Sequence, residues 1–162
     1  MPNYIQPTFN LKANANTASS LPGPNSIALA LSVTDQLSVD LMEQKLITTS
    51  TTVTKLLDGS DVGGGTETPA TVGCYIFMKN NDSTTGNNIY IGIVAGGGSD
   101  TPSAPAASGT TALDEATNAT LRTFTLLPGE FAFFPYDYAG DIYYEAAQNT
   151  PALEYWRFDK GA

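Results

Sequence analysis

A chain of 162 residues with 41% hydrophobic and 10% aromatic content has enough apolar material for one domain with one core, which excludes a wholly disordered polymer. Its formal net charge of −9, with seven Lys and Arg that never stand side by side, excludes a phosphate-neutralising groove for nucleic acid and disfavours anionic membrane surfaces. With no histidine and a single cysteine, Cys74, the chain lacks the parts for Ser-His-Asp or Cys-His catalysis, for Cys/His zinc sites and for an internal disulfide.

Residues 1–24 read as an extended N-terminal arm ahead of a domain covering 25–162. Pro2, Pro7, Pro22 and Pro24 interrupt regular structure, and the run from Ala13 to Ser20 has no apolar periodicity. Tyr4, Ile5, Phe9 and Leu11 are its anchoring side chains, with Thr8 to Leu11 as a short strand. Such an arm is either a frayed terminus or a segment that orders on a neighbouring subunit. The sequence MPNYIQPTFNLK has neither the basic nor the apolar region of a signal peptide, and no run reaches the roughly 20 residues of a membrane span. The expectation is a chain made in the cytoplasm that stays soluble.

From Ile27 the period-2 alternation of half-buried strands is clear: Ile27, Leu29, Leu31 and Val33, then Leu37, Val39 and Leu41. A helix over 34–46 with Thr34 as its cap competes with the second of these, and strict alternation favours strand. The Thr-rich stretch from Leu46 to Leu57 suits a strand with a polar face. Residues 58–69 form a loop. Val72 to Lys79 is apolar on both faces and therefore central, and Ile89 to Val94 is expected to pair with it as a hairpin. Ala95 to Ser108 is a long loop, and Ala112 to Ala119 has room for one helical turn.

The segment RTFTLLPGEFAFFPYDYAGDIYYEAAQNTPALEYWRF holds most of the rings. Pro128-Gly129 offers the two centre residues of a type II turn, so the strands around it read as a hairpin. Two further strands, Asp141 to Ala146 and Ala152 to Phe158, flank the turn at Gln148 to Pro151. In the last strand Leu153 and Tyr155 face one way, and Trp156 and Phe158 the other. About eight strands with little helix predict an all-β, single-domain antiparallel β-sandwich, jelly-roll-like in arrangement.

Candidate chemistry is thin. A glycosidase-like carboxylate pair can be drawn only from Glu130, Asp137, Asp141, Glu145 and Glu154, which fall at turns and on outward strand positions where solvated charge is ordinary. Asp58-Gly-Ser-Asp61 offers oxygen ligands for calcium without the spacing or the closing Glu of an EF-hand loop. The triple glycines at 63–65 and 96–98 lack the Lys and the helix of a phosphate loop. Cys74 alternates with Val72, Ile76 and Met78 and reads as a small core residue. The sequence therefore predicts no enzyme, no catalytic residue, no metal and no cofactor. The rings in the C-terminal segment are split between core and subunit interface, where Tyr and Trp are enriched. Tyr136, Tyr138, Tyr144 and Trp156 join Tyr4, Ile5, Phe9 and Leu11 as the candidate interface.

Leu126 to Ala132 (L-x-PGE-x-A), Asp141 to Tyr143 (D-I-Y) and Leu153 to Trp156 (LEYW) together resemble the C-terminal part of small virion proteins of tailed bacteriophages, capsid decoration (cement) proteins among them. The resemblance covers about the last quarter of the chain, with looser similarity over Val72 to Val94. It implies a β-sandwich or jelly roll with no catalytic residue to carry over. It also implies a homotrimer on the outside of the phage head, made in the host cytoplasm, with the major capsid protein as partner and the arm lying across capsomer joints. The alternative is a glycan-binding β-sandwich, free or on a tail fibre or baseplate. That would show coplanar exposed rings lining a groove, with Asn and Asp beside them.

Overall fold

The computed structural model describes residues 3–14, 26–32, 37–59, 73–94, 113, 122–137 and 140–160. Eleven strands run through them: β1 (Asn3–Ile5), β2 (Thr8–Asn14), β3 (Ser26–Ser32), β4 (Leu37–Thr48), β5 (Thr54–Leu57), β6 (Cys74–Asn80), β7 (Ile89–Val94), β8 (Arg122–Leu126), β9 (Phe131–Tyr136), β10 (Asp141–Ala146) and β11 (Ala152–Lys160). They form an all-β sandwich of two antiparallel sheets. One has the order β1-β4-β11-β6-β9 and the other β5-β10-β7-β8, while β2 and β3 make a two-stranded sheet of their own. The helical turn expected over 112–119 lies outside the described residues except for Leu113.

From β4 onward the pairing is nested. β4 pairs with β11, β5 with β10, β6 with β9 and β7 with β8, as in one long antiparallel ribbon. That ribbon is folded over so that β11 also meets β6 and β10 also meets β7. Chain neighbours therefore mostly cross between sheets, and this corrects two expectations. β8 and β9 are not a hairpin, nor are β6 and β7, because in each case the second strand continues in the facing sheet. The turn between β8 and β9 has the expected chemistry, with Gly129 at φ 82° and the Glu130 amide donating to the Leu127 carbonyl at 2.9 Å. A tight reversal is compatible with either outcome, since it fixes the direction of the next strand and not the sheet that receives it.

The Thr-rich stretch also divides differently. β4 runs unbroken through Thr48, and the chain turns before β5. Thr49 is buried there and donates its hydroxyl to the Pro151 carbonyl at 2.6 Å, which ties the end of β4 to the corner between β10 and β11. The N-terminal arm is partly built into the fold. β1 pairs with β4 at the sheet edge, and β2 pairs with β3 from Thr8↔Ser32 to Asn14↔Ser26. That pairing joins residues on both sides of the expected boundary at 24 and 25.

The core lies between the sheets and follows the alternation. β6 buries Cys74, Ile76, Met78 and Asn80, and β11 buries Leu153 and Tyr155. The facing sheet contributes Leu57, Ile89, Ile91, Leu126, Ile142 and Tyr144. Each fully buried aliphatic or aromatic side chain stabilises the fold by about 1.5–3 kcal/mol. Behind the four-stranded sheet, Leu113 packs on Tyr143 with Val53 and Tyr90 at the margin, and its amide donates to the buried Glu145 carboxylate.

Two glycines separate conformational strain from close approach. Gly129 has a positive φ and no neighbour within 4 Å of where a Cβ would stand. Gly73, at φ 69°, would place a Cβ 2.8 Å from both Asp137 Cβ and the Tyr136 carbonyl oxygen. Gly129→Ala is expected to cost about 1–2 kcal/mol from the left-handed backbone alone. Gly73→Ala adds overpacking strain of about 1–3 kcal/mol to that. Urea denaturation of both variants checks the difference, and equal costs would show that close approach does not demand glycine at 73.

Candidate functional site

The outward face of the five-stranded sheet is the surface that its core role leaves unexplained. Cross-strand register sets it out in three rows: Leu46, Glu154, Lys79 and Phe131; Gln44, Trp156, Phe77 and Phe133; Met42, Phe158, Tyr75 and Pro135. β11 and β6 bury alternate residues, so every ring between those buried positions is turned outward. Leu46 is 70% exposed, Phe131 50% and Phe133 39%. The rings are ordered against one another. Tyr75 stacks on Phe133 with centroids 6.0 Å apart, Phe77 on Phe131 at 6.1 Å, and Trp156 on Phe158 at 6.0 Å with planes within 9°.

Polar groups fix this surface without dominating it. The Trp156 indole N–H donates to Glu154 Oε1 at 2.8 Å, and Asn81 Nδ2 donates to Oε2 at 3.0 Å. These bonds, the indole first, hold the Glu154 carboxyl below its ordinary value. At the end of the strand, the Lys160 ammonium lies 5.1 Å from the centre of the Tyr75 ring. The segment that leaves β1 completes a groove of about 520 Å³ lined by Ile5, Gln6, Pro7 and Thr8 on one side. Phe77, Phe131, Phe133, Trp156 and Phe158 line the other.

Of the residues expected at an interface, Ile5 and Trp156 meet in this groove, and Tyr4 stands exposed on β1. Phe9 and Leu11 lie in β2, opposite Leu31 and Leu29. Tyr136 and Tyr144 are a correction, because both are buried between the sheets. The Tyr136 hydroxyl donates to the Gly140 carbonyl at 2.5 Å, so its polar end is satisfied inside. Tyr138 lies outside the described residues. Phe77, Phe131, Phe133 and Phe158 were not among the expected interface residues. The signal for them was present, in a central strand apolar on both faces and in a final strand with rings on each side.

Four of the five carboxylates considered for catalysis, Glu154 as described and three others, have local structural partners. Glu130 accepts the Leu127 amide at 2.9 Å, and Glu145 takes the Leu113 amide. Asp141 accepts the Gly59 amide at 2.8 Å and the Tyr143 hydroxyl at 3.2 Å. At the start of the Asp58–Asp61 stretch weighed for calcium, Lys55 Nζ lies 3.0 Å from Asp58 Oδ2 and 2.6 Å from Asp141 Oδ2. The hydrogen bonds to Asp141 and then Asp58 raise its basicity, and Asp58 is paired with this ammonium from β5. Asp61 lies outside the described residues. Inside the sandwich, Arg157 Nη2 donates to Asp159 Oδ2 at 2.9 Å, while Nε sits 2.8 Å from Oδ1 without hydrogen-bond geometry.

No family model matches the chain, and no curated protein matches it. One solved structure, from work describing Bacillus endospore appendages as a novel family of disulfide-linked pili, is similar over 75% of this chain and 88% of that one. The identity is 14% and the TM-score 0.37, a likeness too slight to carry function over to this chain.

Proposed function

We propose that this protein is a non-catalytic structural subunit of a particle, most specifically a capsid decoration protein bound outside a tailed-phage head, and that its sandwich is a jelly roll. The observation that carries the reading is the ordered aromatic face on β4, β11, β6 and β9. Soluble monomers rarely leave contiguous apolar patches of such extent, and where they do the patch meets a partner. The nested pairing of eight strands supports the jelly roll, and the C-terminal resemblance supports the virion. The second reading, a glycan-binding module, draws on the near-coplanar Trp156 and Phe158. It is the weaker one, because the polar residues lining the groove are Gln6 and Thr8 rather than the Asn and Asp that sugar hydroxyls would engage.

The test is sedimentation with purified heads assembled without the protein. Stoichiometric cosedimentation that falls when residues 1–24 are deleted is the expected result. No cosedimentation overturns the capsid assignment, and saturable binding on a glycan array replaces it with the second reading.

A further inference from the structure

We propose that the outer face of the four-stranded sheet carries a recognition site for a leucine-bearing peptide, and that the chain's own Leu113 fills it. The site is separate from the aromatic face, and the inference goes beyond the structural-subunit reading without depending on it.

A bulge shapes the sheet at this point. Tyr143, Gly92 and Arg122 stand in line across β10, β7 and β8, with Glu145, Tyr90 and Thr125 in the next row. The register of β8 on β7 shifts between Ile91 and Gly92. Unshifted, it would set Thr123 opposite Gly92 and Arg122 opposite Ile93, whose side chain packs against the core. The shift brings the guanidinium to the outer face instead, and re-aiming a side chain in this way is a common use of bulges beside sites. Gly92 has no side chain, so bare backbone forms the floor between Tyr143 and Arg122.

Leu113 is gripped there on all sides. It is 1% exposed and packs on Tyr143, with Tyr90 and Val53 beside it. Its amide donates to the buried Glu145 carboxylate, and its carbonyl accepts from Arg122 Nε at 3.0 Å. The guanidinium lies 4.0 Å from the centre of the Tyr90 ring, which sets the plane of its donors. A buried carboxylate needs donors, and a stacked guanidinium offers its own in a fixed direction. The peptide group on each side of the leucine is therefore read along with its side chain.

These contacts use Leu113 alone, through its side chain and its own amide and carbonyl. They come from residues 32 and nine positions away in the chain. A leucine in a separate peptide can therefore make all of them. Hairpin connections usually need about two to five residues, whereas residues 95–121 link β7 to β8, so closing this pair does not call for Leu113 at the site. A ligand tethered to its own site acts at an effective concentration of about millimolar, so Leu113 outcompetes a free peptide while it is present.

The experiment adds a fluorescein-labelled peptide of residues 108–118, SGTTALDEATN, to the full chain and follows its polarisation. Leu113→Gly vacates the site and should bind the peptide saturably, at least tenfold (about 1.4 kcal/mol) more tightly than the parent does. Replacing the peptide's leucine with alanine, or adding Arg122→Ala to the variant, should weaken binding by about tenfold. No binding to a Leu113→Gly chain that still melts cooperatively overturns the proposal. So does equal binding to the parent, or binding indifferent to the peptide's leucine. Should Leu113→Gly not fold, hydrogen exchange of the parent's Leu113 amide, followed by NMR, takes its place. That amide should exchange at least about tenfold more slowly than in the free peptide, and faster in Arg122→Ala. Exchange at the free-peptide rate overturns the proposal. None of these measurements involves phage heads, so the capsid assignment stands or falls separately.

Discussion

Replacing Asn80 with Ala should lower stability by about 3 kcal/mol, which for a chain of this size lowers the melting temperature by about 6–12 °C. Asn80 has no exposed surface, and its side chain is bonded at both ends. Nδ2 donates to the Asn87 carbonyl at 2.8 Å and to the Leu126 carbonyl at 3.1 Å, while Oδ1 accepts the Asp82 amide at 3.1 Å. Its own amide donates to the Glu130 carbonyl and its carbonyl accepts from Gly129, both at 2.9 Å. One residue at the end of β6 thus joins the turn into β7, the last residue of β8 and the turn into β9. These are two of the places where the chain crosses between sheets. Alanine leaves two carbonyls and an amide short of a partner, and each buried orphan costs about 1–3 kcal/mol, offset where water enters. Asn80→Asp keeps the shape but sets a carboxylate against two carbonyl oxygens, so it should cost more than alanine at pH 7. Thermal and urea denaturation decide the matter, and a melting temperature for Asn80→Ala within 2 °C of the parent would show that the crossing does not depend on this residue.

Asn80 also shows where the sequence stops speaking. Alternation placed β6 at the centre and assigned its buried residues Cys74, Ile76 and Met78, because a period of two is a local property. Nothing local distinguishes an Asn that ends a strand at the surface from one that donates to residues seven and forty-six positions away. The same limit explains the misjudged hairpins. The Pro-Gly turn was legible down to the positive φ of Gly129, but the receiving sheet is chosen by side chains distant in the chain.

The aromatic face divides along the same line. The opposite facings of Leu153 with Tyr155 and of Trp156 with Phe158 follow from strand geometry and hold in the structure. Tyr136 and Tyr144 were assigned outward on the ground that hydroxyl-bearing rings suit interfaces. Tyr136 lies inside because the backbone at Gly140 offers an acceptor, a fact of the folded loop rather than of composition. Phe131 and Phe133 stand outward because the register of β9 on β6 puts them beside Lys79 and Phe77. One step of slippage would have exchanged them for Ala132 and Phe134, which pack against the core.

That inner packing makes the fold sensitive to alkali. Cys74 is fully buried, and burial above all, with Asp159 adding to it and Arg157 and Lys160 opposing, raises its thiol from an ordinary value near 9 to about 12. Below pH 9 the thiol is neutral in folded and unfolded chains alike, so it contributes no pH dependence. Between 9 and 12 the unfolded chain loses a proton that the folded chain retains, and stability falls as pH rises. At about 1.4 kcal/mol per pH unit, the loss from this group at pH 10.5 is about 2 kcal/mol. Tyr155, raised mainly by its own burial, adds a loss of the same sign at higher pH. Urea denaturation at pH 8 and pH 10.5 should find Cys74→Ala less stable than the parent at the lower pH, through lost packing. On going to the higher pH, the variant should lose about 2 kcal/mol less than the parent. Equal losses would mean that the buried thiol is not what the alkali titrates, and would move the whole effect onto Tyr155, where Tyr155→Phe isolates it.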